Sequence, residues 1–435
     1  MGIVKDDLRQ IFLHTLENLS LDKVMSCRIK RQGDLLIAGE TRVDLSEYQK
    51  IICISIGKAA VQMTEQFLCI IKPREVAGIV VSPDIPEKTI PNFRHYNGGH
   101  PYPNAESLQA ASAILELVSN LHHEDLVVYL LSGGGSAICE KPISTDISLK
   151  DIQEFFHLLV TCGANIVEMN VLRKHFSAIK GGRLAERANP AGQVTFYVSD
   201  VPSDQPSTVA SGPTMPDEST VEDCYRLSQN LKLAGQLPSS IQQMFDKKEI
   251  PETPSLESEN FSRSSWHMLL GNKDGVDVLH DQVAPRGWIV ERDLSVDDWP
   301  YGVAVRHLLE RLENMRRNNP GETVVLLTGG ELSVPVIGDG MGGRNQAFVL
   351  SCAHHIAGQN IAVLSAGTDG IDGNSPAAGA VADGETLARA RTAGMSASDF
   401  ERRSDSFHFF ERLDDLLITG PTGNNIRDLR VMVAW

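Results

Sequence analysis

Basic residues are scarce in this sequence: 40 Lys and Arg face 56 Asp and Glu, for a formal net charge of −16. Nucleic acids are bound through basic surfaces, so a nucleic-acid partner is excluded and any anionic ligand must meet a local basic pocket. The seven cysteines (Cys27, Cys53, Cys69, Cys139, Cys162, Cys224, Cys352) are scattered and never spaced as CxxC. That excludes a disulfide framework or a zinc site and fits a reducing compartment. His122-His123 and His354-His355 also lack metal-ligand spacing. No apolar run approaches the ~20 residues of a membrane span. The chain starts with Lys5, Asp6 and Asp7, then Leu8, Ile11, Phe12, Leu16 and Leu19 at helical spacing. This is an amphipathic helix, unlike the apolar core of a signal peptide, and the expected location is cytoplasmic with no membrane association.

What the sequence has in excess is glycine, 36 in 435 residues. The length fits two domains. Short β-branched runs alternate with helical patterns, the grammar of an α/β fold with crossover helices. Strands are expected at 51–56, 76–81, 126–131, 194–198, 323–327, 361–365 and 416–418. One helix is expected after the cap Asn104, with Leu108, Ala111, Ile114, Leu115 and Val118 on one face; another carries Val305, Leu308, Leu312 and Met315. Periodicity fails where Pro238, Pro251 and Pro254 interrupt the chain. We therefore expect a first domain at 1–236, a linker or surface excursion at 237–265 and a second domain at 266–435.

Six expected strands end in small, polar or glycine-rich loops: Ser55-Ile-Gly-Lys58, Ser132-Gly-Gly-Gly-Ser136, Ser199-Asp-Val-Pro-Ser203, Thr328-Gly-Gly-Glu331, Ala366-Gly-Thr-Asp-Gly370 and Thr419-Gly-Pro-Thr-Gly423. Ligands of open α/β sheets bind at the carboxyl ends of strands, and glycine there lets a backbone approach a phosphate while its amides donate. Any one such loop is most simply a tight turn; six together point to a phosphate-handling cleft. Gly133, Gly134, Gly135 and Ser136 are the candidate phosphate cradle, and because no Gly-Lys-Ser/Thr closes it, P-loop chemistry is not implied. Lys58, after a strand and at a helix start, is placed to attract phosphate. Gly338, Gly340 and Gly343 satisfy GxGxxG, but Pro335 spoils the preceding strand, and Arg344 is better suited to gripping a transferring phosphoryl group. Asp200, Glu331 and Asp369 are candidates for holding Mg²⁺ or accepting a hydroxyl proton. Arg173, Lys174, His175 and Lys180 supply positive charge for a carboxylate or phosphate.

These motifs resemble the glycerate 2-kinases with an N-terminal glycerate kinase domain and a C-terminal MOFRL domain. The similar segments are Gly98-Gly-His-Pro-Tyr-Pro103, Leu131-Ser-Gly-Gly-Gly-Ser-Ala137, Arg173 to Leu184, Ser199-Asp-Val-Pro202, Ala210-Ser-Gly-Pro-Thr214, Thr328-Gly-Gly-Glu331, Gly342-Gly-Arg-Asn-Gln346, Gly367 to Gly373 and Thr419-Gly-Pro-Thr-Gly423. The resemblance covers nearly the whole chain in order. It implies two α/β domains, the first Rossmann-like with a largely parallel sheet, an active site in the cleft between them, and transfer of the γ-phosphoryl group of ATP to the 2-hydroxyl of D-glycerate. Lys58, Arg344 and Asp200 are then the expected catalytic residues. Lys174 and Lys180 join the glycine loop in holding phosphate or nucleotide, Ser55, Arg173, Glu331 and Asn345 touch the substrate, and Asp200 and Asp369 hold Mg²⁺. Departures from the family pattern fall at Ser203, Gln205, Ser375-Pro376 and Asn424. Some members are labelled hydroxypyruvate reductases, which makes an NAD(P)H-dependent reductase the alternative; a non-catalytic ligand sensor is a third reading. Whether the chain works as a homodimer is left open.

Overall fold

The computed structural model describes residues 2–84, 88–201 and 206–435. Pro202, Ser203 and Gln205 lie outside the described residues. The chain forms two compact units, one of Leu21–Leu269 and one of Met1–Ser20 with Leu270–Trp435. It therefore crosses between units twice, and its cuts differ from those expected. The amphipathic helix Gly2–Asn18 packs in the unit of the C-terminal half, where Leu8, Ile11 and Phe12 are buried and Lys5 reaches Asp415 at 2.8 Å. The stretch 237–265 belongs to the other unit. Its helix Ser239–Lys247 buries Ile241 and Phe245, one helical turn apart, in a cluster with Phe155, Phe156 and Phe176. The prolines that suggested a linker lie outside this helix.

The unit 21–269 is built on a six-stranded sheet in the order Phe93–Asn97, Ala77–Ser82, Lys50–Ile56, Asp125–Leu131, Gly192–Val198, Ser264–Leu270. The four pairings from the first to the fifth of these are parallel. Counted along the chain the order is 3-2-1-4-5-6, that of a Rossmann fold, with its switch point between Lys50–Ile56 and Asp125–Leu131. Both of these strands are buried almost throughout, as their unbroken apolar runs require of a sheet covered on two faces. The helix Ala105–Val118 covers one face and begins with a reciprocal cap between Asn104 and Ser107. A small antiparallel meander, Ile29–Gln32, Leu35–Ala38 and Thr41–Asp44, precedes the sheet.

The other unit holds a mixed six-stranded sheet, ordered Ile289–Asp293, Val324–Gly329, Asp428–Ala434, Ile361–Gly367, Gly379–Asp383, Leu416–Leu417. Its first pairing is parallel and the remaining four are antiparallel. The seven expected strands are all present. A central one, Asp428–Ala434, was not foreseen, because Asp428 and Arg430 break its apolar run although both are fully buried. No helix among the described residues is long and apolar enough to cross a membrane.

Candidate functional site

The switch point of the parallel sheet is where Lys58 and the triple-glycine loop meet. Gly57 has φ +128°, and a Cβ there would lie 2.5 Å from the Ser132 carbonyl oxygen. The two loops are thus backbone to backbone, joined by Lys58 N–H to the Gly133 carbonyl at 3.0 Å and Ala59 N–H to Ser132 Oγ at 3.0 Å. Gly134 has φ +82°, a conformation that favours glycine. Among the described residues no acceptor meets the amides of Gly133 or Gly134. Lys58 is exposed between buried neighbours, and its ammonium has no partner among the described residues.

A pocket of about 290 Å³ opens beside this loop, lined by Gly134, Ser136, His100, Arg173, Asp200 and Thr208 among others. Arg173 sits over the Phe156 ring at 4.6 Å, and its Nε is buried with no hydrogen-bond partner. Burial pulls its pKa down to about 10, so it stays charged at neutral pH. Burial, and then the Lys58 charge, hold His100 below the ordinary histidine value. Ser136 Oγ bonds Ser211 Oγ, which in turn donates to Asn170 at 2.8 Å. Ala210 and Ser211 have φ +51° and +60° in succession, a rarely occupied backbone held against Gly135.

Several expected ligands of this unit turn inward instead. Ser55 is fully buried and donates to the Ala60 carbonyl at 2.8 Å, so it fastens a helix to its strand. Lys174 pairs with Asp217 at 2.9 Å, and Lys180 pairs with Glu140, all four nearly inaccessible. A buried lysine must have such a partner, which explains positive charge that solubility does not need. Asp200 and Arg173 face the pocket; Ser55 and Lys180 do not line it.

In the other unit the helix Arg344–Ile356 starts at Gly343. Arg344 Nε and Nη2 bond the two oxygens of Asp428 at 2.7 and 2.9 Å, and Nη2 also bonds Glu331 at 2.9 Å. Burial opposes the charge, yet the Asp428 and Glu331 carboxylates outweigh it and raise the guanidinium above its usual pKa. Asp428 itself is fully buried; burial alone would raise it, but Arg344 and Arg430 hold it below the usual carboxylate range. Asp372 caps the helix start, accepting the amides of Asn345 at 3.1 Å and Gln346 at 2.9 Å. Burial pushes its carboxyl up to about 6 against those amides, with the Asp428 charge adding to the rise. Asn345 is buried between Asp372 and Ser365, a fastening rather than an open substrate contact. Asp369 accepts the Ile371 amide at 3.1 Å, as turn-forming aspartates do.

The GxGxxG stretch is packed against a neighbouring segment on one side, and Gly340 and Gly343 line a pocket of about 670 Å³ with Arg344 on the other. Ser404 Oγ accepts from Ile337 N–H at 3.1 Å, Asp405 from Met341 N–H at 3.1 Å, and Asn374 from Gly342 N–H at 2.8 Å. A Cβ on Gly340 would lie 2.5 Å from Asp405 Cβ and 2.6 Å from the Arg403 carbonyl oxygen. These glycines admit a neighbouring segment; the Gly340 amide donates to the Arg403 carbonyl at 3.0 Å, while that of Gly343 meets no acceptor among the described residues. The departures Ser375 and Asn424 are also structural: Gln346 donates to Ser375 at 2.7 Å, and Asn424 donates to the Leu19 carbonyl at 2.9 Å. Sequence reasoning missed Asp428, Asp372, His100 and the Ala210–Ser211 strain. Asp372, His100 and Ala210–Ser211 carried a signal, as parts of the Gly367 to Gly373, Gly98 to Pro103 and Ala210 to Thr214 motifs, and Asp428 carried none.

Comparison with known proteins agrees along the chain. Residues 7–246 match the family described as a domain of unknown function, DUF4147, and residues 324–428 match the MOFRL family. A D-glycerate 2-kinase of Thermotoga maritima is 35% identical over 87% of this chain and 89% of its own. An Agrobacterium vitis protein that carries a provisional hydroxypyruvate reductase name is 34% identical over 88% of this chain and 99% of its own. Among solved structures, a glycerate kinase of Thermotoga maritima superposes with a TM-score of 0.86 at 30% identity, covering all of both chains.

Proposed function

Because the chain belongs to the glycerate 2-kinase family, we propose that it transfers the γ-phosphoryl group of ATP to the 2-hydroxyl of D-glycerate. The observation that carries this reading is Arg173, a charged guanidinium with no acidic partner among the described residues, facing a pocket of about 290 Å³. Such a group calls for a small anion, and a three-carbon carboxylate suits the volume. The amides of Gly133 and Gly134 and the exposed Lys58 ammonium, at the switch point, supply donors and charge for a phosphoryl group. Asp200, on the same pocket, is the base for the 2-hydroxyl proton.

Among the described residues no three carboxylate, imidazole or thiolate groups converge as a metal cage. That donor set fits Mg²⁺ carried by the nucleotide phosphates and touched by one protein carboxylate, Asp200; the ion would neutralise charge on the β- and γ-oxygens. Arg344 belongs to the other unit, where Asp428 and Glu331 hold its Nε and Nη2 and leave Nη1 as a donor of the kind that grips a phosphoryl oxygen. The reductase alternative has little support from the residues. The first strand of the parallel sheet is followed by Gly57-Lys58-Ala-Ala, without the glycine spacing of a dinucleotide fingerprint.

The test is ADP release with ATP, Mg²⁺ and D-glycerate, run beside NADH oxidation with hydroxypyruvate. We expect the first to be fast and the second absent. Hydroxypyruvate-dependent NADH oxidation without ADP release would overturn the kinase reading.

A further inference from the structure

We infer that the nucleoside of the phosphoryl donor sits in a second pocket of the same unit, walled by Tyr197 and Trp266 and rimmed by Glu218. The inference rests on the kinase reading above. The glycine-loop pocket, at about 290 Å³, has room for a three-carbon acid or a phosphate but not for a nucleoside triphosphate as well. A larger pocket of about 710 Å³ shares Asn170 and Thr208 with it, so the two are contiguous. This size is within the roughly 300–1,000 Å³ common for organic ligands.

Its walls suit a flat, neutral heterocycle. Tyr197 lies at the carboxyl end of the strand Gly192–Val198, and Trp266 is on the neighbouring strand Ser264–Leu270. The Trp266 indole N–H donates to the Thr214 carbonyl at 2.8 Å, which fixes the ring's orientation. Met215 and Val171 add apolar surface. The charges deeper in the pocket cancel: the Asp217 carboxylate takes Lys174 at 2.9 Å, Ser219 at 2.8 Å and Thr253 at 3.0 Å. An uncharged base meets no bare charge there. Glu218, by contrast, is exposed on the rim, an acceptor of the kind that holds ribose hydroxyls. With the base here, the phosphates extend past Asn170 and Thr208 to the amides of Gly133 and Gly134. This is the geometry of a ligand laid across strand ends on one side of the switch point.

The experiment is calorimetric titration with MgADP, with KM values for ATP and glycerate, on the wild-type chain, Val167→Trp and Glu218→Gln. Val167 is an exposed residue that lines this pocket and not the glycine-loop pocket, so a large ring there fills the cavity without disturbing the core. We expect Val167→Trp to weaken MgADP binding and raise the ATP KM at least tenfold, with the glycerate KM within twofold. Glu218→Gln should do the same severalfold, and covers the case in which Val167→Trp does not fold. If both variants bind MgADP as the wild type does, or if glycerate KM moves in place of ATP KM, the nucleoside is not here although the kinase reading stands. Failure of the wild type itself to bind MgADP would overturn both.

Discussion

Two glycine-rich stretches follow strands in this chain, and they have opposite physical roles. In Ser132–Ser136 the glycines leave backbone amides without acceptors among the described residues, beside Arg173, whose buried Nε also has none. In Gly338–Gly343 the glycines admit residues 403–406 and Asp372, and Arg403, Asp405 and Asn374 take the amides of Gly340, Met341 and Gly342. The cations differ likewise: Lys58 is exposed and has no partner among the described residues, whereas Arg344 is clamped by two carboxylates. Glycine density therefore marks close approach of a backbone to something. Whether that is a ligand or the protein itself depends on who accepts from the amides.

The largest effects should come from the two cations, and they should part company in stability. Lys58→Ala and Arg344→Ala are each expected to lower kcat at least ~1,000-fold, about 4 kcal/mol of transition-state stabilisation. Lys58→Ala should melt as the wild type does, since it leaves nothing buried behind. Arg344→Ala strands the buried Asp428 carboxylate with Arg430 alone and should lower the melting temperature too. Near-normal turnover in either variant removes that residue from the mechanism; equal melting temperatures would mean the Arg344 clamp is not structural.

Asp372 sharpens the comparison through pH, because it consumes the helix-start amides that an anion would need. Burial pushes its carboxyl up to about 6 in the folded chain, from an ordinary 3.8. The folded chain thus binds the proton more tightly, and the associated stability is complete below about 3.8 and lost as pH rises through about 6. The loss is at most ~3 kcal/mol. Asp372→Asn, which resembles the protonated acid, should gain stability relative to wild type between pH 4 and 7. Melting curves across that range are the check, and a constant difference would contradict the raised carboxyl.

Alanine at one glycine in each loop should give reciprocal signatures. At Gly340 the new Cβ meets backbone and Asp405 Cβ, so about 1–3 kcal/mol of stability should be lost with KM values nearly unchanged. At Gly134 the Cβ meets His100, which lines the pocket, at 3.1 Å and Lys58 Cγ at 3.2 Å. There KM should rise about tenfold, near 1.4 kcal/mol, with a smaller change in melting temperature. Exchanged signatures would invert the assignment of the two loops.

The legibility of the chain follows the same division. The strands expected at 51–56, 76–81, 126–131 and 194–198 could be read because each is largely an apolar run, and the glycine loop because it ends one, whereas the parallel edge strand Phe93–Asn97, with Arg94, His95 and Asn97, has no such run and was not foreseen. The strand Asp428–Ala434 could not, since its two buried charges pair with each other and with groups distant in sequence, Arg344 and the Gly330 carbonyl. Lys174 and Lys180 looked like ligands for the same reason: Asp217 and Glu140 are local to them only in the fold. The helix Gly2–Asn18 was legible as a helix, but nothing in its pattern names the unit that buries it. Periodicity reports which face is buried, not by whom.

The smallest effect should be at Glu331, which was expected to touch substrate. Its side chain is 35% exposed and holds one nitrogen of Arg344, whereas Asp428 is fully buried and holds two. A half-exposed ion pair contributes roughly 0.2–1 kcal/mol, so Glu331→Gln should change kcat and KM less than about fivefold. Asp428→Asn should cost far more, because it frees the guanidinium to rotate while leaving Arg430 without its carboxylate. Steady-state kinetics of the two variants, read with their melting temperatures, separate a clamp from a ligand. If Glu331→Gln raises the glycerate KM a hundredfold at unchanged stability, Glu331 meets the substrate directly, and the Arg344 contact is secondary to that role.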